Sequence, residues 1–195
     1  MNSGANPSPT GRSARVLLDE YLAATDDPAI RRVIVNTRSF IDAHDDCLLR
    51  TCREGHLTGS AWVVNHTRTH TLLTHHRKLG KWLQLGGHAD GEADLAAVAL
   101  REAAEESGLR RLALVSPQLF DLDQHLIPAR RNESEHWHFD FRFLVEADKE
   151  EPLVVSDESH DLSWVPLNAV ATLNPEPSLL RMTLKSSGFL RCGLG

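Results

Sequence analysis

One segment restricts the fold of this 195-residue chain more than any other. From about Asp94 to Ser107 the sequence DLAAVALREAAEES reads as one long helix, and Gly108 closes it as a residue favoured just past a helix end. Ala96, Ala99, Leu100 and Ala103 recur at helical spacing and form a stripe able to pack on a sheet. Glu102, Glu105 and Glu106 follow at i, i+3 and i+4, so three carboxylates share another face. Leu95 and Val98 sit nearer the acidic side, so the helix is expected to be covered there too. Three like charges on one turn repel, and stability gives no reason for them. A hard divalent cation does, because magnesium and manganese take carboxylate oxygens and leave room for substrate phosphate. The competing reading is a solvated, Glu-rich surface, by itself far commoner than a metal site. The surroundings shift the balance: Gly86-Gly87 stands before the helix, where glycine lets a backbone carbonyl approach a metal closely. Arg101 lies four residues before Glu105, placed to hold that carboxylate.

The rest of the chain alternates helix with strand. Met1 to about Arg12 reads as a disordered tail rich in Ser, Pro and Gly. Leu17, Leu18, Tyr21 and Leu22, then Ile30, Val33, Ile34, Phe40 and Ile41, mark two amphipathic helices joined at Asp26-Asp27-Pro28. Ser60–Asn65 and Thr69–His75 read as a hairpin, and Lys81–Leu85 as a third short strand. Further strands are expected near Arg111–Val115, His136–Glu146 and Leu162–Val165, with helical pieces at Leu167–Leu173 and Ser178–Lys185. No period repeats and no linker divides the chain after Arg12. The expected division is a tail over 1–12, a helical N-terminal extension over 13–57 and one α+β domain over 58–195.

Charge narrows the partners. The 21 Lys and Arg against 27 Asp and Glu leave a net charge of −6, which argues against a nucleic-acid polymer. Six acids and one base fall between Asp90 and Glu106, so most of that excess sits in one loop and helix. The negative charge therefore describes a concentrated cation site through which a small anionic substrate can bind. Cys47, Cys52 and Cys192 form no even framework and no Cys-x-x-Cys pair; one disulfide is the alternative, and free thiols in a reducing cytosol are the expectation. No apolar leader and no stretch approaching a membrane span is present, so the expectation is a cytoplasmic protein with no membrane partner.

Eleven histidines is many for this length. Two of them belong to His136–Phe143, which alternates strictly: Trp137, Phe139, Phe141 and Phe143 on one face of a strand, His136, His138, Asp140 and Arg142 on the other. The aromatic face is expected in the core. The polar face either floors a substrate cleft or meets solvent, and two His, an Asp and an Arg suit a cleft better. His75-His76-Arg77-Lys78 reads as a solvated turn from which Arg77, Lys78 or the nearby Lys81 could reach an anion.

The run Arg101-Glu102-Ala103-Ala104-Glu105-Glu106-Ser107-Gly108-Leu109 resembles the second half of the Nudix box, the signature of Nudix hydrolases, at every fixed position. The first half departs from it. Counting from Gly87 puts Ala93 where the family has Glu, with Glu92 one residue early, and Leu85 stands where Pro is common. Trp82-Leu83-Gln84-Leu85 and Asp161–Leu167 extend the likeness over about Gly59 to Leu173. It implies an α/β/α sandwich around a mixed sheet, here with the N-terminal helices as an addition.

By the same resemblance the reaction is hydrolysis of a small nucleoside diphosphate-linked compound, with Mg2+ or Mn2+ held by Glu102, Glu105, Glu106 and the Gly87 carbonyl. Arg101 would orient the acids. Glu102, Glu133, Glu135 and Glu158 are the candidates for the general base. His88 follows Gly86-Gly87, and in the isopentenyl diphosphate isomerase branch a His at the comparable place is a metal ligand; a bond to the loop backbone is the plainer reading. His88, His136, His138, Asp140 and Arg142 are the expected substrate-facing residues. An isomerase of prenyl diphosphates and a non-catalytic nucleotide sensor are the alternatives. Whether the N-terminal helices cap the site or build a homodimer stays open.

Overall fold

The computed structural model describes residues 12–129 and 134–189; the expected tail up to residue 11, Glu133 and Cys192 lie outside the described residues. Two helices come first, α1 (Ala14–Ala24) and α2 (Pro28–Ala43). Each begins where a side chain satisfies the free amides of its first turn: Ser13 accepts from Val16 N, and Asp27 accepts from Ala29 N with Pro28 in the first turn. Among the described residues eight strands then build one curled, mixed sheet: β1 (Gly55–Asn65), β2 (His70–His76), β3 (Lys81–Leu83), β4 (Leu85–His88), β5 (Leu112–Leu114), β6 (Asp121–Ile127), β7 (His136–Ala147) and β8 (Ser159–Pro166). Between β4 and β5 runs α3 (Leu95–Ser107). A 3-10 turn (Leu167–Ala169), α4 (Val170–Leu173) and α5 (Pro177–Phe189) close the described chain.

The sheet is organised around β1, which pairs in parallel with β7 over its whole length. Its other edge is shared by β4 over Thr58–Ala61 and by β2 at Val64. β6 and β5 continue past β7, while β3 and β8 attach to β2. One face of the sheet carries Leu57, Ala61, Phe139, Phe141, Phe143 and Val145, and α3 packs there with Ala96, Ala99 and Ala103. Helices α1 and α2 join the same core, with the Phe40 ring stacked 4.3 Å from that of Phe139. A second core, built on Trp62, Leu144, Val170, Leu179 and Met182, seats α4 and α5 against the opposite side. This is the helix–sheet–helix sandwich expected.

Several details differ from the sequence reading. β1 starts at Gly55, ahead of Ser60, because it pairs with β7 from that residue onward and is buried throughout. The third strand is two short ones, β3 and β4, that pair with different partners. β6 was not expected at all. Trp137 is largely exposed although its neighbours Phe139, Phe141 and Phe143 are buried, since it stands at the open end of the aromatic face. Cys47 and Cys52 are buried free thiols. Among the described residues no helix is long and apolar enough to cross a membrane.

Candidate active site

The acidic helix is fixed at both ends. Asp94 caps α3 by accepting from Ala96 N and Ala97 N, both at 3.1 Å, and Gly108 ends it at φ 72°, the left-handed conformation for which glycine is favoured. Its first turn lies close on β1: a Cβ at Gly59 would stand 2.6 Å from Leu95 O and 3.0 Å from Val98. That close seat brings the last turns of α3 against the Gly86-Gly87 edge of β4.

There two glutamates meet the glycine pair. The Glu102 carboxylate lies directly over Gly87, so closely that any side chain at position 87 would collide with it. Glu106 accepts a hydrogen bond from Gly86 N at 3.0 Å. Burial pushes the Glu106 carboxyl up to about 7, with the Gly86 amide opposing and the charges of Glu102 and Glu158 adding to the rise. Burial raises Glu102 as well, against the pull of Arg101. Arg101 sits 2.7 Å from Glu102 and 3.8 Å from Glu105, and donates to His88 O at 3.1 Å. Its tighter partner is therefore Glu102, one residue on, and not Glu105 as the spacing suggested. Glu105 points outward with its side chain 63% exposed.

Buried Glu106 and half-buried Glu102 both open into a cavity of about 280 Å³ that runs from α3 past β4 onto the sheet's polar face. Gly86, Gly87, Gln84, Arg50, Lys78, Glu158 and several histidines complete its walls. The polar face was legible as alternation. His136, His138 and Asp140 line the cavity, and register brings them beside His56, Thr58 and Ser60 of β1. Arg142, next in the same row, does not reach it. It is buried between Asp140 at 2.7 Å, Asp123 at 3.2 Å and Asp121 at 3.5 Å. Those three carboxylates hold its guanidinium charged despite the burial. Asp140 also accepts from Thr58, Ser60 and Gln84, so it anchors the floor.

His88 lines the cavity too. Burial lowers its pKa to about 4, aided by the Arg50 charge, and burial among other imidazoles lowers His138 to about 2. Both rings are neutral near pH 7. Among the described residues Glu158 is the one candidate base outside α3 that lines the cavity; Glu135 is exposed and lies elsewhere. Glu92 accepts from Asp94 N at 2.8 Å and stays in the loop, while Ala93 lines a separate hollow beside α1 and α2. Of the basic turn, Lys78 reaches the cavity, whereas Lys81 pairs with Glu176 and Arg77 donates to Ser159 O.

Sequence reasoning missed Arg50, His56 and His125. Arg50 donates to Asp90 at 2.6 and 2.7 Å, which together with its charge holds that carboxyl below the usual range, and its place in the wall depends on a long loop. His56 and His125 become part of the site only through cross-strand register with His138.

A family model described as NUDIX domain matches residues 56–183. No curated protein matches the chain by sequence. Among solved structures, an Ap4A hydrolase of C. elegans is similar over 70% of this chain and 98% of its own, at 16% identity and a TM-score of 0.57. A NUDIX family hydrolase from Clostridium perfringens is similar over 70% and 98%, at 24% identity and a TM-score of 0.54. The E. coli dihydroneopterin triphosphate pyrophosphohydrolase is similar over 70% and 96%, at 13% identity and a TM-score of 0.51.

Proposed function

This chain belongs to the Nudix family of hydrolases, and from that premise we propose a magnesium- or manganese-dependent pyrophosphohydrolase that cleaves the diphosphate linkage of a small nucleoside diphosphate-linked compound. The observation that carries the reading is the pair of carboxyls with raised pKa at the glycine edge. Glu102 lies over Gly87 and Glu106 accepts from Gly86 N; desolvation raises both carboxyls, and repulsion from the Glu102 charge raises Glu106 further. A divalent cation relieves that repulsion, and oxygen donors from two carboxylates with a nearby backbone carbonyl at Gly87 are the set a hard cation takes. Glu105, more exposed, would reach the ion from the outer side.

When bound, such a cation supplies charge neutralisation on the phosphate and a water of lowered pKa. The residues around it take complementary tasks. Arg101 holds Glu102 in place through its 2.7 Å contact. Arg50 and Lys78 add positive charge to the cavity wall, where phosphate oxygens would lie. Glu158 lines the same cavity and its charge acts on Glu106, which supports it as the acceptor of a proton from the attacking water, with Glu102 as the other candidate.

A hydrolysis screen tests the reading. Dinucleotides of the Ap4A type, nucleotide sugars, nucleoside and pteridine triphosphates and coenzyme A would be offered with Mg2+ or Mn2+. Phosphate-containing products are expected from at least one class, whereas an isomerase releases none. Glu106→Gln can still accept the Gly86 amide, so it should keep the fold while lowering metal-dependent turnover roughly 100- to 1000-fold. Wild-type turnover in that variant overturns the carboxylate assignment.

A further inference from the structure

Across β4 from the glutamates lies a second cluster that the hydrolytic chemistry leaves unused. His56 of β1, His88 at the end of β4, and His136 and His138 of β7 pack ring against ring. Centroids are 4.8 Å apart for His56 and His88, 4.9 Å for His56 and His136, 4.7 Å for His56 and His138, and 5.0 Å for His88 and His138. Aliphatic side chains would fill this part of the sheet without the cost of desolvating four imidazoles, so packing alone does not account for it.

We propose that His56, His88, His136 and His138 form a second metal centre, one that takes a divalent transition-metal ion of the zinc type. All-nitrogen donors suit such an ion and not magnesium, which sets this centre apart from the carboxylate site. The local geometry is that of a prepared ligand set. His136 Nδ1 lies 2.8 Å from Ser134 O. A carbonyl only accepts, so Nδ1 carries the proton and Nε2 presents its lone pair, the arrangement typical of a ligating histidine. That Nε2 stands 3.2 Å from His138 Nε2. Four nitrogens about 2.0 Å from a tetrahedral zinc are spaced about 3.3 Å from one another, so the pair already spans one edge. One ring nitrogen from each of His56, His136 and His138 lies within 4.8 Å of the others, and His88 closes the set against His56 and His138. Behind them, His125 meets the His138 ring edge-on and pairs with Asp123 at 3.2 Å. Because His88, His136 and His138 also line the cavity, an ion held here faces the same space as Glu102 and Glu106.

Cobalt(II) chloride, added to chelator-stripped full-length protein, is the probe. One equivalent should bind with the visible absorption of tetrahedral cobalt and be displaced by zinc. Glu106→Gln should keep this binding, which separates the histidine centre from the carboxylate site and its hydrolysis. The double variant His136→Gln/His138→Gln should weaken cobalt binding at least 100-fold, with circular dichroism reporting the fold. His88→Gln, a single change on the cavity wall, should weaken it at least tenfold and stands in if the double variant does not fold. No tetrahedral spectrum in the wild type, or a spectrum unchanged in the histidine variants, overturns the centre. So does binding that is lost in Glu106→Gln and kept in the histidine variants.

Discussion

Glu106 combines burial, one backbone donor and like-charged neighbours, and its protonation is coupled to folding. An acid raised to about 7 in the fold holds a proton that the unfolded chain releases near 4.5. Between those two values the folded state binds the extra proton, so stability falls as pH rises and is lowest above about pH 7. The size of the loss is a few kcal/mol at most, at about 1.4 kcal/mol per pKa unit. Thermal melts in chelator from pH 4.5 to 7.5 should show this decline in the wild type and a shallower one in Glu106→Gln. Excess magnesium should remove the difference, since the cation favours the ionised form. A wild-type-minus-variant difference that is flat with pH would count against the buried, raised acid.

At the scale of elements, the site depends on how closely α3 lies on β1. Gly59 permits that approach, and Gly59→Ala puts a methyl against Leu95 O and Val98. The helix must lift, at a cost of about 1–3 kcal/mol. Its glutamates then shift from Gly86 and Gly87, so chemical denaturation and magnesium affinity should both register the change. This helix was readable in the sequence because its cap, its stripe, its acids and its closing glycine are all local. β7 was readable for the same reason, through strict alternation. β6 was not: Asp121 and Asp123 disfavour strand, and they sit there only because Arg142, Arg181 and Lys185 neutralise them from other elements. His56 escaped notice likewise, since a lone histidine acquires meaning only when register sets it beside His138. Arg142 shows the reverse error, a residue on the right face whose charge is taken up by carboxylates from β6.

Across the whole molecule, Asp121 ties four elements together. It accepts from Arg181 at 2.7 and 2.8 Å, from Lys185 at 2.6 Å and from Tyr21 of α1 at 3.2 Å, beside Arg142. Although burial alone would raise its pKa, the bonds from Arg181 and the surrounding cations keep it low. Asp121→Asn leaves those cations underneutralised in the interior, and urea denaturation should show a loss of about 3–5 kcal/mol. Cobalt binding, measured at a denaturant concentration where the variant is folded, should stay within threefold of the wild type.

The parallel pairing of β1 with β7 also sets an order of assembly. Their partners stand 82 positions apart, whereas β4 returns to β1 after a far shorter excursion. Loop closure grows costlier with chain length, and sheets joined by distant partners form slowly. The glycine edge and its acidic helix can thus come together on the ribosome before the floor beneath them has been synthesised. A nascent chain that ends short of Ala147 carries the glutamates of the proposed cation site without the strand that completes the cavity around them.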